Sequence, residues 1–138
     1  MNSYSKPVLA YFKDDSHVGG WPIKACATDI ITLSSGDIAQ GTRLQLQFHI
    51  ERRVGSTNSL LSTTIRDVKF RVFGEPTLVA CMAYVAEFAV GKTVAQLAAL
   101  KASAIDTALL IATDKHYCSI HVTALLQQLT RGQENRDD

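Results

Sequence analysis

A single cysteine near the end of the chain, Cys118, is the residue whose type and position most clearly allow chemistry. It opens a predicted final helix that runs from Ser119 to Leu129. Unpaired backbone N–H groups and the dipole at a helix start favour a thiolate, the form of cysteine that binds metals and accepts sulfur. The competing interpretation is a small buried residue, because free cysteine is common in protein cores. The side chains predicted to face inward on this helix are Ile120, Leu125, Leu126 and Leu129.

Three further polar residues lie where they could act with this thiol. His121 follows Cys118 by three residues, on the same helix face, and His116 precedes it by two. His116 is alternatively a solvated loop residue. Glu75 precedes Pro76 at another predicted helix start, where the dipole stabilises a carboxylate by about 0.3–1 kcal/mol. Helix capping is therefore a sufficient explanation for Glu75, with a ligand role as the alternative.

Catalytic signatures are not evident in the chain. The run from Gly91 to Thr93 resembles the end of a phosphate-binding loop, but the position five residues earlier is Ala86 instead of glycine. The segment before Gly91 is also predicted to be a helix, whereas the motif requires a strand. Neither a Ser/His/Asp arrangement nor a pair of carboxylates stands out, so we expect no enzymatic turnover.

Composition indicates one globular domain. The 138 residues are 46% hydrophobic and 20% charged, with a formal net charge of +1, which argues against a protein built to coat nucleic acid or an anionic membrane. An apolar run long enough for a membrane span and a secretion signal are both missing, so a cytoplasmic protein is expected. Cys26, Cys81 and Cys118 are too widely spaced for a zinc clip and are expected to be reduced. Cys81 is predicted to lie in the core.

The first half of the chain is predicted to contain a helix and an antiparallel sheet. Ser5 caps a short helix that stops at the segment 17–22. The clearest strand is 43–50, where apolar and polar residues alternate. The second half of 23–33, broken at 34–37, and the segment 64–73 are the other strands. The connection 51–63 is predicted to be a long, mobile hairpin.

The second half supplies the helices that must cover the apolar face of this sheet. One helix begins at Pro76 and ends before Gly91, two short helices occupy 93–100 and 103–111, and the helix after Cys118 completes the layer. These elements predict an α+β fold in a single domain over residues 1–131. Residues 132–138 are predicted to be a disordered tail.

Four segments, at 4–21, 35–50, 68–76 and 91–119, together resemble one family, the IscU/NifU N-terminal domains on which iron-sulfur clusters are assembled. They correspond to the opening helix, to the Cys-Gly-Asp segment with its following strand, to the strand ending in Tyr-Gly-Cys-Gly, and to the run from Gly-Lys-Ser to His-Cys-Ser. The resemblance covers nearly the whole chain. It implies a three-stranded antiparallel sheet packed against helices, in agreement with the elements above.

The resemblance also exposes changes at the cluster ligands. The family holds its cluster with three cysteines, helped by an aspartate and sometimes a histidine. By position, the first cysteine is Ser35, the second is Glu75, and the third is kept as Cys118, while the aspartate is kept as Asp37. The usual histidine is replaced by Tyr117, with His116 displaced by one residue. In an alternative register, Cys26 and Asp29 take the places of Ser35 and Asp37.

The altered residues predict a different ligand chemistry. A two-iron cluster requires about four ligands, mostly thiolates. Asp37, Glu75, His116 and Cys118 would supply one sulfur among oxygen and nitrogen donors. Such a set suits Zn²⁺ or Fe²⁺ better than a stable cluster. The sequence therefore predicts a scaffold-like protein that binds a metal ion or a labile iron-sulfur cluster at a degenerate site, with Ser35 in the first ligand position.

Partners follow from the same resemblance. It implies a cysteine desulfurase as sulfur donor. The family's Leu-Pro-Pro-Val-Lys chaperone-docking motif is altered throughout 111–115, so docking of that chaperone is in doubt. Two other functions stay open: a regulatory interaction module without metal, and a persulfide carrier that uses Cys118 alone.

Overall fold

The sheet at the centre of the fold is antiparallel, and its strands follow chain order, β1-β2-β3. The computed structural model describes residues 4–21, 29–37, 39, 41–51 and 60–130, and of Asp37 only the backbone. Cys26, most of the connection 51–63, and the tail 132–138 lie outside these residues. The elements are α1 (Lys6–Lys13), β1 (Ile30–Asp37), β2 (Thr42–Glu51), β3 (Thr64–Phe73), α2 (Pro76–Ala89), α3 (Val94–Ala98), α4 (Ala102–Leu109) and α5 (His116–Leu126).

One face of the sheet is apolar and carries the helices, which confirms the predicted α+β class. Leu44, Leu46 and Phe48 alternate along β2 and are fully buried, and Val68 and Phe70 oppose them from β3. The helices α2 and α5 pack over this face, and α1 packs on α2. The core therefore lies between one sheet and one helical layer. None of the described helices is long and apolar enough to cross a membrane.

The chain pairs with the edge of β3 that faces away from β2 and then crosses the outer face of the sheet. The Gly19 N–H donates to the Phe70 carbonyl at 2.9 Å, and the Phe70 N–H donates to the His17 carbonyl at 2.8 Å. Trp21 then lies over the face, where its backbone N–H donates to the buried Gln47 side chain at 2.7 Å and its carbonyl accepts from the Gln47 amide at 3.1 Å. These bonds satisfy the polar groups of a buried glutamine and fix Trp21 above the middle of the sheet.

The end of β1 and the start of α5 differ from the sequence prediction by three residues or more. Strand β1 continues through Ser35 and Gly36 to Asp37, because these residues pair with Leu44, Arg43 and Thr42 of β2. Cross-strand pairing outweighs the turn preference of the Ser-Ser-Gly-Asp run.

The last helix begins three residues earlier than predicted. A 3₁₀ turn over Thr113–Lys115 leads directly into α5 at His116. Cys118 therefore lies within the first turn of the helix instead of before it. The prediction that Ile120 faces inward is wrong, since it is 58% exposed, while Val122, Leu125 and Leu126 are buried.

A substitution at Gly36 tests directly whether β1 continues through this residue. Its φ is +91°, and a Cβ atom there would lie 2.5 Å from the Thr42 carbonyl oxygen. Gly36→Ala is therefore expected to lower the free energy of unfolding by about 1–3 kcal/mol, measured by urea denaturation. Gly41→Ala is the matched control, because Gly41 has a φ of +86° but no atom of the described residues lies within 4 Å of such a Cβ. Equal losses in the two variants would show that the close approach to Thr42 carries no cost.

Candidate functional site

Glu75 and Cys118 meet where β3 gives way to α2. The chain leaves β3 at Phe73, and Glu75 becomes the N-cap of α2, with its Oε1 accepting from the Thr77 backbone N–H at 3.0 Å. Cys118 projects from the first turn of α5 and donates its thiol hydrogen to the same Oε1 over 3.3 Å. The capping interpretation of Glu75 is thus confirmed, and the same carboxylate also contacts the thiol.

Lys115 closes the other side of this carboxylate. Its Nζ lies 2.7 Å from Glu75 Oε2, and both side chains are only 24% exposed. Lys115 ends the 3₁₀ turn that precedes α5, so one short segment supplies both the ammonium and the thiol. The carboxylate is consequently held between a positive charge and a thiol donor. We call Glu75, Lys115 and Cys118 the thiol–carboxylate site.

The thiol of Cys118 is protonated in this arrangement. Its side chain is fully buried, and burial together with the hydrogen bond to Glu75 raises its pKa to about 12. This corrects the expectation that the start of the helix holds a thiolate. The dipole effect, about 0.3–1 kcal/mol, is smaller than the cost of a buried anion beside a carboxylate.

The pKa of Glu75 is shifted in the opposite direction. Burial by itself would raise its pKa, but the hydrogen bonds from Lys115, Cys118 and Thr77 together outweigh burial and hold the pKa below its ordinary value of 4.5. The site therefore contains a carboxylate, an ammonium and a neutral thiol at neutral pH. It is a charge-balanced unit in which one proton lies between sulfur and oxygen.

The depressed pKa of Glu75 predicts how stability responds to acid. A carboxyl group whose folded pKa is lowered contributes stability above the unfolded pKa, and that contribution is lost as pH falls through the folded value. We expect Glu75→Gln to lower the free energy of unfolding by about 1.5–3 kcal/mol at pH 7, and by progressively less as the pH falls below about 4.5. Urea denaturation from pH 7 to pH 3 measures this.

Glu87→Gln is the matched control, because Glu87 is an exposed acid on the same helix that accepts from the Tyr11 hydroxyl at 2.9 Å. A loss in Glu75→Gln that stays constant across this pH range would contradict the charge-assisted role of Glu75.

Ser35 contacts His121, one of the two histidines that the sequence analysis placed near Cys118. Its hydroxyl lies 3.3 Å from His121 Nε2, which joins β1 to α5. His121 is one helical turn beyond Cys118, as the three-residue spacing predicts. The three residues that the resemblance assigns to the ligand cysteine positions, Ser35, Glu75 and Cys118, thus all contact or belong to the first two turns of α5.

The other predicted histidine faces elsewhere. The Nδ1 atom of His116 lies 2.8 Å from Asp106 Oδ2 of α4. This is an ion-pair distance, but the ring N–H is not aligned for a hydrogen bond. Ser119 donates its hydroxyl hydrogen to the other oxygen of Asp106 at 2.6 Å. His116 therefore belongs to a cluster that joins α4 to α5, and the structure does not bring it to the thiol–carboxylate site.

The predicted set of four ligands is not assembled among the described side chains. Within them, no group of three His, Cys, Asp or Glu residues is arranged to hold a metal ion. Asp37 ends β1 opposite Thr42, two residues after Ser35, and its ligand role stays a prediction. Cys81 is buried in α2, which confirms its place in the core. Burial is the main cause that raises its pKa.

Sequence reasoning missed Lys115 and Asp106. Lys115 precedes Cys118 by three residues, and this spacing was available as a signal that both side chains share one surface of the segment. The contact between His116 and Asp106 has no comparable signal, because the two residues lie on different helices.

Comparisons with known proteins match most of the chain. A sequence model of the family described as NifU-like N terminal domain matches residues 3–132. The protein named iron sulfur cluster assembly protein 1, mitochondrial, from Debaryomyces hansenii, is 28% identical over 117 residues, which are 85% of this chain and 60% of that protein. The chain thus spans about three fifths of the length of that relative.

A solved structure shows a weaker likeness. It is described as a putative iron-sulfur cluster assembly scaffold protein for the SUF system, from the thermophile Fervidobacterium islandicum AW-1. It has a TM-score of 0.45 and 18% sequence identity, and the match covers 68% of this chain and 58% of that one.

Proposed function

The chain belongs to the NifU-like N-terminal domain family, and from that membership we propose that it acts in iron-sulfur cluster assembly by binding one divalent metal ion between Cys118 and Glu75. It would act as a binding protein without turnover, alongside a cysteine desulfurase. The name of the Debaryomyces relative supports the assembly role. The observation that carries the metal proposal is the 3.3 Å separation of Cys118 Sγ and Glu75 Oε1.

That separation suits two ligands of one ion. Zinc lies about 2.3 Å from a thiolate sulfur and about 2.1 Å from a carboxylate oxygen, so a tetrahedral ion holds the two atoms roughly 3.6 Å apart. The observed 3.3 Å is shorter by a few tenths of an ångström. An ion would take the place of the proton that now lies between sulfur and oxygen.

A complete cluster does not fit the described donors. A two-iron cluster takes about four protein ligands, whereas the thiol–carboxylate site supplies one sulfur and one carboxylate. Two donors with open positions suit a single Zn²⁺ or Fe²⁺ ion whose other ligands are water, Asp37 or a group from a partner. We therefore propose that the protein handles a single ion as cargo.

Elemental analysis tests this proposal. Protein loaded with Fe²⁺ or Zn²⁺ without oxygen, then passed over a desalting column, is expected to keep one ion per chain. Protein that keeps no ion after loading, at concentrations where the fold is intact by circular dichroism, would contradict the proposal.

The ammonium of Lys115 lies 2.7 Å from Glu75 Oε2 and repels a cation at Oε1 of the same carboxylate. In Lys115→Met this repulsion is removed, so zinc affinity is expected to rise about two- to fivefold. Competition against a chromophoric chelator at low ionic strength measures the affinity. Lys101→Met is the control, since Lys101 lies at the start of α4 and makes no side-chain capping bond there. A fall in affinity in Lys115→Met would mean that the ammonium supports the ion instead of excluding it.

One set of contacts favours a second function, a regulatory module without metal. The three positions of the family's cysteines are all satisfied inside the protein, by Ser35 with His121 and by Glu75 with Lys115 and Cys118. A domain held together by these contacts does not need a metal ion to order the region around the thiol–carboxylate site. Under this alternative the loaded protein keeps no ion and Lys115→Met changes nothing in the chelator assay.

A further inference from the structure

A basic and aromatic surface lies on the outer face of the sheet, at the end nearest the thiol–carboxylate site. We call it the Arg–Phe patch. It forms a shallow cavity of about 350 Å³ between β2 and β3. Phe73 is 53% exposed there, and Arg43 and Arg71 are also exposed. The lining residues are Arg43, Gln45, Arg71, Val72 and Phe73.

Strand register sets the layout of the patch. Arg43 pairs with Phe73, and Gln45 pairs with Arg71, so the two arginines are diagonal neighbours across β2 and β3. Diagonal neighbours on one face of an antiparallel sheet lie about 7–8 Å apart. The two guanidinium groups thus project from one face over a distance that a single short peptide can span.

The charges of the patch are not balanced by the described surroundings. No acidic residue is among the described residues that line the cavity. The ion pairs found among the described residues use Arg66, Lys115 and His116, and none of them uses Arg43 or Arg71. Lys69, the next basic residue along β3, lies instead over the Trp21 ring at 5.2 Å. Two like charges beside each other are mutually repulsive, and an incoming anionic group would relieve that repulsion.

The residue types point to a protein partner. Arginine and aromatic side chains are enriched at the energetic centres of protein interfaces. A half-exposed phenylalanine beside two guanidinium groups offers both an apolar anchor and charge complementarity. A small inorganic anion would use the guanidinium groups and leave Phe73 in water.

We propose that the Arg–Phe patch docks an acidic, extended segment of a partner protein whose carboxylates are two residues apart. In an extended chain, side chains at i and i+2 share one face and lie about 6.8 Å apart. This matches the diagonal spacing of Arg43 and Arg71, so one carboxylate meets each guanidinium while the next side chain on the same face of the segment, at i−2 or i+4, covers Phe73. The inference does not depend on metal binding.

The Arg–Phe patch lies close to the thiol–carboxylate site along the chain. Phe73 ends β3 and lies two residues before Glu75. A segment bound on the patch would therefore end beside the carboxylate that holds Cys118 and Lys115, and it would bring the partner to the edge of the thiol–carboxylate site.

The test uses three peptides. The first is a fluorescent (Glu-Val)₄ peptide, the second is its (Gln-Val)₄ analogue, and the third is (Glu-Glu-Val-Val)₂, which has the composition of the first in another spacing. Fluorescence anisotropy against the full chain at low salt is expected to show saturable binding of the first peptide, at least about tenfold weaker binding of the glutamine analogue, and intermediate binding of the third.

Charge reversal locates the binding. The Arg43→Glu/Arg71→Glu variant is expected to bind (Glu-Val)₄ at least about tenfold more weakly. Arg66→Glu is the matched control, an exposed arginine of β3 that pairs with Glu51 at 3.9 Å outside the patch. Circular dichroism establishes that each variant is folded, as expected for substitutions at exposed positions.

Equal binding to the double variant and to wild type, or no saturable binding to wild type, would overturn the proposal. Equal displacement of (Glu-Val)₄ by citrate and by excess unlabelled peptide, at matched charge, would also overturn it in favour of a general anion site.

Discussion

Replacing Cys118 with alanine is expected to weaken zinc binding by at least about 100-fold. Mutating a residue that merely supports a metal ligand costs about 10- to 100-fold in affinity, and a ligand itself contributes at least as much. Cys118 is the one thiol that the described residues bring to Glu75, at 3.3 Å, so no second sulfur replaces it there. Competition against a chromophoric chelator, without oxygen, measures the change.

Cys81→Ala is the matched control for this loss. Cys81 is also a buried, free cysteine, and its removal takes away the same number of atoms from the core. We expect this variant to keep the zinc affinity of the wild type within about twofold. Equal loss of affinity in the two variants would show that the effect comes from the core and not from a ligand.

A steep rise of zinc affinity with pH is the second large effect that we expect. The pKa of Cys118 is about 12, so its thiol is protonated throughout the range from pH 6 to pH 8. Binding must therefore release one proton, and each rise of one pH unit increases the thiolate fraction about tenfold. The apparent zinc affinity is expected to rise about 100-fold between pH 6 and pH 8.

His121→Gln is the control for this experiment. His121 lies three residues after Cys118 and contacts Ser35 at 3.3 Å, so this variant shows whether the histidine is also a ligand. In the His121→Gln variant the slope is expected to stay at about one proton per ion. A flat profile in the wild type would contradict the protonated thiol, and a slope that disappears only in His121→Gln would assign the proton to the histidine.

Much of the scaffold could be predicted from local patterns. The alternation of apolar and polar residues in 43–50 identified β2 and its buried face, because a half-exposed strand must repeat every second residue. Pro76 and Gly91 marked the ends of α2, because proline is favoured at the first position of a helix and glycine just after its end. The family resemblance supplied the expectation that Glu75 and Cys118 come together, although they are far apart along the chain.

The predictions that were wrong or missing concern contacts between segments that are far apart along the chain. Gly36 looks like a strand breaker, yet β1 continues through it because β2 offers a partner for each residue up to Asp37. The state of Cys118 was also mispredicted, since the dipole at a helix start is visible in sequence whereas the burial of the thiol against Glu75 is not. The ion pair between Lys115 and Glu75 was missed for the same reason, because the two residues are 40 positions apart along the chain.

The coordination of a bound ion tests the central claim most directly. X-ray absorption at the zinc edge of the loaded protein is expected to show one sulfur at about 2.3 Å and oxygen or nitrogen ligands at about 2.0–2.1 Å. The sulfur should be absent from the spectrum of any residual zinc in Cys118→Ala. A spectrum of the wild type with no sulfur ligand, or with three or four sulfurs per zinc, would contradict a metal ion held between Cys118 and Glu75.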